Sequence, residues 1–379
     1  MEYIKIKKGK NNMDSTEEKA LKILSILNEN NHESYIVGGF VRDKLLGIKS
    51  NDIDICTSAT PKEIMEIFPN TSSPNYGSIN IIYKNTNFDI TTFRKEIKYQ
   101  DNRLPVKIKY IKNIKKDLLR RDFTINTFCI DKDGEIKDYL KVMPDLENKL
   151  IKTVGNPRYR LKEDALRILR AVRFATTLNF NIETKTKHYL KEYAYLLKKL
   201  SYQRKKQELD KILMSPNRKR GVELLVDLSI TDALKLKNLN KITLCDDLIG
   251  IWAQLDVDDI YPFTKVEKEQ MKEIRRLLKK DINDVYNLYT SGLYISTVVY
   301  QIKKKDITTL NKIYHDLPIK SKKEININGQ DISNLLNLRP GIYIKEIIND
   351  IEKKIINHEL NNTKEDLTNY IEKHYKKTR

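Results

Sequence analysis

Two short stretches constrain this chain more than any others: Val37–Gly38–Gly39–Phe40–Val41–Arg42–Asp43 and Asn51–Asp52–Ile53–Asp54–Ile55–Cys56. The first runs from a strand into two glycines and then into a helix. Glycines there let the backbone approach a ligand, the following amides favour anionic oxygens, and Arg42 adds a charged fork. In the second, side chains at i and i+2 share one strand face, so Asp52 and Asp54 stand side by side. Two such carboxylates repel unless a cation lies between them, and hard oxygen ligands suit Mg²⁺. Each stretch alone is weak evidence, since a Gly–Gly turn commonly joins strand to helix and an Asp-x-Asp pair is usually a solvated strand face. Together they predict a phosphate- and metal-binding edge on a sheet.

The surroundings fit a mixed α/β domain. Tyr35–Val37, Ile53–Thr57, Ile79–Tyr83 and Asp89–Phe93 read as strands, and Ala20–Asn28 carries apolar residues at helical spacing. A breaker cluster at Gly155, Asn156 and Pro157 marks a boundary near the start of a helical stretch from Lys162 to Ala175. Beyond it, helical periodicity continues through Leu190–Leu200, Gln203–Leu213, Val222–Leu228 and Lys265–Leu278, with sparse strand signals and no repeat. A chain of 379 residues exceeds one compact core and suggests two to four domains.

Composition bounds the function. Lysine and arginine number 71 against 52 acidic residues, a net charge of +19, which suits a polyanion such as nucleic acid; lysine drift in an AT-rich genome would produce the same excess. No apolar run approaches a membrane span and the N-terminus lacks a secretory apolar block, so a cytoplasmic protein is expected. Cys56, Cys129 and Cys245 lie far apart without metal-ligand spacing and are expected to be buried free thiols.

Three further segments carry candidate chemistry. In Arg120–Arg121–Asp122–Phe123–Thr124–Ile125–Asn126, an arginine stands beside a carboxylate, a pair that read by itself is a helix-start salt bridge. In Glu163–Asp164–Ala165–Leu166–Arg167–Ile168–Leu169–Arg170–Ala171–Val172–Arg173, three-residue spacing puts Asp164, Arg167 and Arg170 on one helix face, with Leu166, Leu169 and Phe174 toward the core. Glu96–Lys116 contains Tyr99–x–Asp101–x–Arg103–x–Pro105 and reads as a hairpin loop.

The stretch IVGGFVRDKLLGIKSNDIDICTSATP resembles the head of the class II tRNA nucleotidyltransferase and poly(A) polymerase family, a branch of the polymerase-β-like nucleotidyltransferases. The resemblance implies an α+β protein whose head is followed by an all-helical neck, body and tail, expected at 15–140, 141–200, 201–270 and 271–379. It implies in-line attack of an RNA 3′ hydroxyl on an α-phosphate. Asp52 and Asp54 would bind two Mg²⁺ ions that activate the hydroxyl and neutralise the leaving pyrophosphate. Gly39 and Arg42 would hold triphosphate, Arg121 and Asp122 would fix phosphate or ribose, and Arg170 and Arg173 would steady the triphosphate and the reading helix.

In the same family, Asp164 and Arg167 would form Watson–Crick-like bonds with the base. Cytosine and adenine both offer an amino donor beside a ring-nitrogen acceptor, so the substrates implied are CTP and ATP. Asp89, within Asp89–Ile90–Thr91–Thr92–Phe93–Arg94, is a candidate third carboxylate or a plain strand-edge residue. The retained loop argues for adding the terminal adenosine.

Ile327–Asn328–Gly329–Gln330–Asp331, Leu338–Arg339–Pro340–Gly341 and Asn361–Asn362–Thr363–Lys364 resemble the tail of Bacillus-type CCA-adding members, implying tRNA gripped at its acceptor and T arms. The expected partners are thus tRNA and nucleoside triphosphates, with no membrane and with a homodimer left open. One departure is clear: Asp138–Tyr139–Leu140–Lys141–Val142–Met143–Pro144–Asp145 lacks the glycine pair thought to let head and neck flex between C and A addition. An A-adding enzyme working on CC-ended tRNA is therefore the nearest rival. A poly(A) polymerase and an inert RNA-binding relative follow.

Overall fold

A computed structural model of the chain describes residues 15–69, 71–72, 77–100 and 104–376, with the backbone alone for 98–100 and 104–107. The chain divides into two compact units between Asn240 and Lys241. In the first, α1 (Ser15–Glu29) precedes β1 (Ser34–Val37), α2 (Gly39–Leu45), β2 (Asp54–Thr57), α3 (Pro61–Ile67), β3 (Ser78–Tyr83) and β4 (Thr86–Thr92). A hairpin of β5 (Arg94–Gln100) and β6 (Leu104–Tyr110) follows, then α4 (Ile114–Leu118), β7 (Cys129–Ile130) and β8 (Ile136–Lys137).

Six of these strands form one sheet in the order β3-β4-β2-β1-β7-β8, with β2 and β4 parallel and the other neighbours antiparallel. Alternation places the core: Phe88, Ile90 and Thr92 of β4 are buried, while Asn87 and Asp89 are exposed and Thr91 is half-buried. Ala20, Ile23, Leu24 and Leu27 of α1 are fully buried. Register positions the site. Val37 pairs with Asp54, and Asp54 with Asp89, so the end of β1, where Gly38 begins the turn into α2, lies beside the carboxylates.

The same pairing corrects one expectation. Strand β2 begins at Asp54 rather than Ile53, and Asp52 sits in the preceding loop, because Gly38 (φ 81°) turns the neighbouring strand away and leaves nothing to pair with. A glycine is needed there, as this φ is costly for a residue with a Cβ.

The helical part of the first unit contains α5 (Met143–Glu147), β9 (Leu150–Ile151), α6 (Pro157–Glu163), α7 (Leu166–Thr177), β10 (Asn181–Ile182), α8 (Thr184–Glu192), α9 (Tyr202–Leu213) and α10 (Arg218–Asp227). It is not wholly helical: β9 and β10 form a two-stranded parallel pair. Nor is Lys162–Ala175 one helix. Asp164 adopts an extended conformation (φ −136°, ψ 102°) and its carboxylate accepts from the Leu166 amide at 3.0 Å, ending α6 and starting α7. Asp164 therefore does not share a helix face with Arg167 and Arg170. The expected helix Leu190–Leu200 likewise ends at Glu192 and continues as a 3-10 turn over Ala194–Lys199.

The second unit comprises α11 (Leu248–Ala253), α12 (Lys265–Leu278), α13 (Val285–Ile302), α14 (Ile307–Asp316), α15 (Gly329–Leu336), α16 (Ile342–Ile356) and α17 (Lys364–Tyr375). Ile347, Ile351 and Ile355 recur every four residues along α16 and pack with Ile332, Leu367 and Ile371. The motifs noted in this region have local structural roles. Asn328 and Asp331 form a capping box at α15, Thr363 caps α17, and Asn362 accepts from the Asn326 amide at 2.9 Å. All three cysteines are free and buried, as expected. Among the described residues no helix is long and apolar enough to cross a membrane.

Candidate active site

The first unit holds a cleft of about 620 Å³ between the sheet edge and α6–α7. Ten residues singled out in the sequence line it: Gly39, Arg42, Asp52, Asp54, Arg121, Asp122, Asp164, Arg167, Arg170 and Arg173. Asp89 does not. Its exposed side chain accepts from Asn80 Nδ2 at 3.1 Å, one strand away from Asp54. Tyr99, Asp101, Arg103 and Pro105 of the hairpin motif lie outside the described side chains.

Among the described residues, no side-chain hydrogen bond or ion pair holds the carboxylates of Asp52 and Asp54, although the Asp54 backbone is paired in the sheet. Removal from bulk water, and then the charge of Asp52, push the Asp54 carboxyl above the ordinary aspartate value, although solvent still reaches its side chain; Arg121 partly offsets this. Two adjacent unpartnered carboxylates in tension fit a divalent cation of the Mg²⁺ type. Among the described residues no group of three or more acidic, histidine or cysteine side chains forms a fuller ligand set.

The opposite wall is built differently. Arg42 holds Asp43 at 2.6 Å and donates to Asn126 Oδ1 at 2.7 Å. Asn126 Nδ2 donates to Asp122 at 3.0 Å, and so does the Phe123 amide at 2.8 Å. Arg170 Nε and Nη2 reach the other Asp122 oxygen at 2.7 and 2.5 Å. These contacts fill the four acceptor positions of a carboxylate. Burial alone would raise Asp122, but Arg170 and these hydrogen bonds hold its carboxyl far below the usual carboxylate range.

Arg160, which the sequence did not flag, ties this wall together. Its Nη2 donates to the carbonyls of Arg120 and Arg121, the latter at 2.9 Å, and its Nη1 meets Glu163. Arg167 is buried beside it. It donates to Arg160 O at 2.7 Å, Glu163 Oε2 at 3.3 Å and Arg120 O at 3.0 Å. A guanidinium has five donors, so these three bonds do not exhaust it, and Arg167 also lines the cleft.

Asp117, fully buried on α4, anchors the third side: it accepts from Arg120 Nε at 2.8 Å, Arg121 Nη2 at 3.4 Å and the Arg94 amide at 3.0 Å. Burial opposes its ionisation, yet Arg120 and Arg121 hold it below the ordinary aspartate value. Asn126, four residues after Asp122 in the flagged segment, was within reach of sequence reasoning. Asp117 and Arg160 were not, because their partners are brought in by the fold.

Three family models match the chain. Residues 34–152 match the poly A polymerase head domain, 179–240 match a probable RNA and SrmB-binding site of polymerase A, and 262–371 match a putative second domain of tRNA nucleotidyltransferase. The class is thus a nucleotidyltransferase of the poly(A) polymerase type. Within it, the chain is 35% identical to the CCA-adding enzyme of Ligilactobacillus salivarius, covering 92% of this chain and 94% of the relative. It is 33% identical to that of Streptococcus agalactiae, over 96% and 98%.

The crystal structure of the Bacillus stearothermophilus CCA-adding enzyme in complex with CTP superposes with a TM-score of 0.85 at 26% identity, covering 95% of this chain and 98% of that one. The Thermotoga maritima CCA-adding enzyme complexed with tRNA shares the fold at TM-score 0.72 and 23% identity, over 95% and 96%. The chain belongs to the family of CCA-adding enzymes, as its head and tail motifs together led one to expect.

Proposed function

We propose that this chain adds C, C and A to the 3′ end of tRNA from CTP and ATP, releasing pyrophosphate, in the cytoplasm where both substrates occur. The observation that carries this reading is one cleft in which an unpartnered carboxylate pair faces an acceptor and a donor, Asp164 and Arg167, able to read the amino edge of C or A. The working division is a head at 15–140, a neck at 141–200, a body at 201–270 and a tail at 271–379.

Asp52 and Asp54 hold the divalent cation, Mg²⁺ by ligand type. When bound, it supplies positive charge at the α-phosphate and lowers the pKa of the attacking hydroxyl. Gly39 lets the backbone approach the phosphates, and Arg42, Arg170 and Arg173 neutralise them. Arg121, held by Asp117 and close enough to Asp54 to lower its carboxyl, adds positive charge for phosphate or ribose. Asp122 keeps Arg170 aimed and exchanges its Asn126 contact for a ribose hydroxyl. Asp164 accepts from the base amino group, and a free Arg167 N–H donates to the ring nitrogen. Uracil and guanine reverse that pattern and are rejected.

One observation favours the narrower reading of A addition alone. Between 138 and 145 the chain turns on Lys141, at φ 57°, instead of a glycine, and Asp138 accepts from the Met143 amide at 2.8 Å. A lysine in that conformation is stiffer than a glycine pair. Purified protein with Mg²⁺ and tRNAs ending at the discriminator base, at C and at CC separates the two. Completion of CCA on all three supports the full reaction; extension of the CC-ended tRNA only, with ATP, replaces it with A addition.

A further inference from the structure

Phe174, at the end of the flagged helix segment, is read in the sequence as core. The structure gives it a second surface: its ring is almost wholly buried yet lines the cleft. Three guanidiniums gather over it, Arg173 at 4.1 Å from the ring centroid, Arg42 at 5.1 Å and Arg170 at 5.2 Å. Arg42 comes from α2 in the sheet part of the unit and the other two from α7, so one ring joins the sheet part of the unit to its helical part. Phe123 meets Phe174 at 80° with centroids 5.8 Å apart and fixes its orientation.

We infer that Phe174 is a positioning residue that gathers Arg42, Arg170 and Arg173 into one cage for the nucleotide's phosphates. This rests on the reading that the cleft takes a nucleoside triphosphate.

The chemistry explains why a ring is suited to the task. Each arginine also holds an acidic partner, Asp43, Asp122 or Glu208, at 2.5 to 2.7 Å. A carboxylate orients a guanidinium, but its oxygens compete with phosphate for the same N–H groups. An aromatic face attracts the cation through its quadrupole and offers no oxygen, so the N–H edge stays available to an anion. Three like charges around one ring also repel. Burial first, and behind it the neighbouring Arg170 and Arg42, push Arg173 below the ordinary arginine value against the pull of Glu208. An entering triphosphate relieves that repulsion, while the ring keeps the empty cage from spreading.

The test replaces Phe174 with mono-, di- and trifluorinated phenylalanine, which keep the ring's shape while draining its negative face, and with Phe174→Leu, which removes it. Steady-state addition of A to CC-ended tRNA gives KM and kcat for ATP, and thermal melting follows folding. The expected result is a KM that climbs with each fluorine, reaching on the order of tenfold at the trifluorinated ring, with an unchanged melting temperature. Phe174→Leu should raise KM at least as far. A KM flat within about twofold across the series, in a wild type that adds nucleotide, overturns the inference and leaves the functional reading standing. A KM that follows a falling melting temperature instead of fluorine number overturns it as well. A folded wild type that extends no tRNA overturns the functional reading itself.

Discussion

The two walls of the cleft solve opposite electrostatic problems. On the sheet edge, Asp52 and Asp54 have no partner among the described residues, and Asp54 is raised by its surroundings. On the arginine-rich wall, Arg42, Asp122, Arg160, Arg167, Arg170 and Arg173 are tied to one another, to acidic partners or to backbone carbonyls. The acidic edge is left in tension and gains by taking a cation. The arginine wall is arranged before the nucleotide arrives, so binding requires little reorganisation. Stability and activity should therefore separate at the first wall and move together at the second.

The largest expected effect is Asp54→Asn. Activity on CC-ended tRNA should fall by at least ~10³-fold, because the cation's contribution at the α-phosphate is several kcal/mol. The metal-free melting temperature should hold or rise as a repulsion disappears. A substantial drop in melting temperature would break the comparison, by giving Asp54 a structural role.

Next is Asp122→Ala, which strands Arg170 and frees Asn126. It should cost about 2–4 kcal/mol in denaturant unfolding and roughly 10²-fold in activity together. Loss of activity with full stability would mean that Asp122 reads ribose alone and does not hold the wall.

Arg160→Met sharpens the comparison further. It removes the clamp on the Arg120 and Arg121 carbonyls and should raise KM for CTP and ATP about tenfold and relax discrimination against UTP. Competition assays with labelled CTP and UTP measure this directly, and unchanged selectivity would assign Arg160 to folding only.

The smallest effect is in pH. Asp122 has a folded pKa depressed below its unfolded value, so its stabilisation is present above the ordinary aspartate range and lost as pH falls below about 4. The stability gap between wild type and Asp122→Asn should be full at neutral pH and narrow on acidification. A gap independent of pH would show that charge is not its source.

Much of this was legible in the sequence because the signals were local. The Gly–Gly turn, the Asp-x-Asp spacing and the alternation in β4 each need only a few residues, and the site candidates other than Asp89 line one cleft. What misled was a local rule applied across a local exception. Helical spacing over Glu163–Arg173 looked continuous, but the Asp164 side chain accepts from the Leu166 amide, so Asp164 stands at a break between helices. Asp52 was assigned to a strand for the same reason, since spacing alone cannot tell where the partner strand ends.

The sequence by itself determined which residue types could bind metal, phosphate and a base edge, and the order in which sheet and helices follow along the chain. Only the tertiary structure decided that Asp122 is filled by Arg170, that Arg160 grips carbonyls about forty residues earlier in the chain, and that Phe174 gathers three arginines. Turns, caps and periodicity are written in neighbouring residues. Contacts between distant segments are set by strand register and helix packing, which depend on the whole core at once.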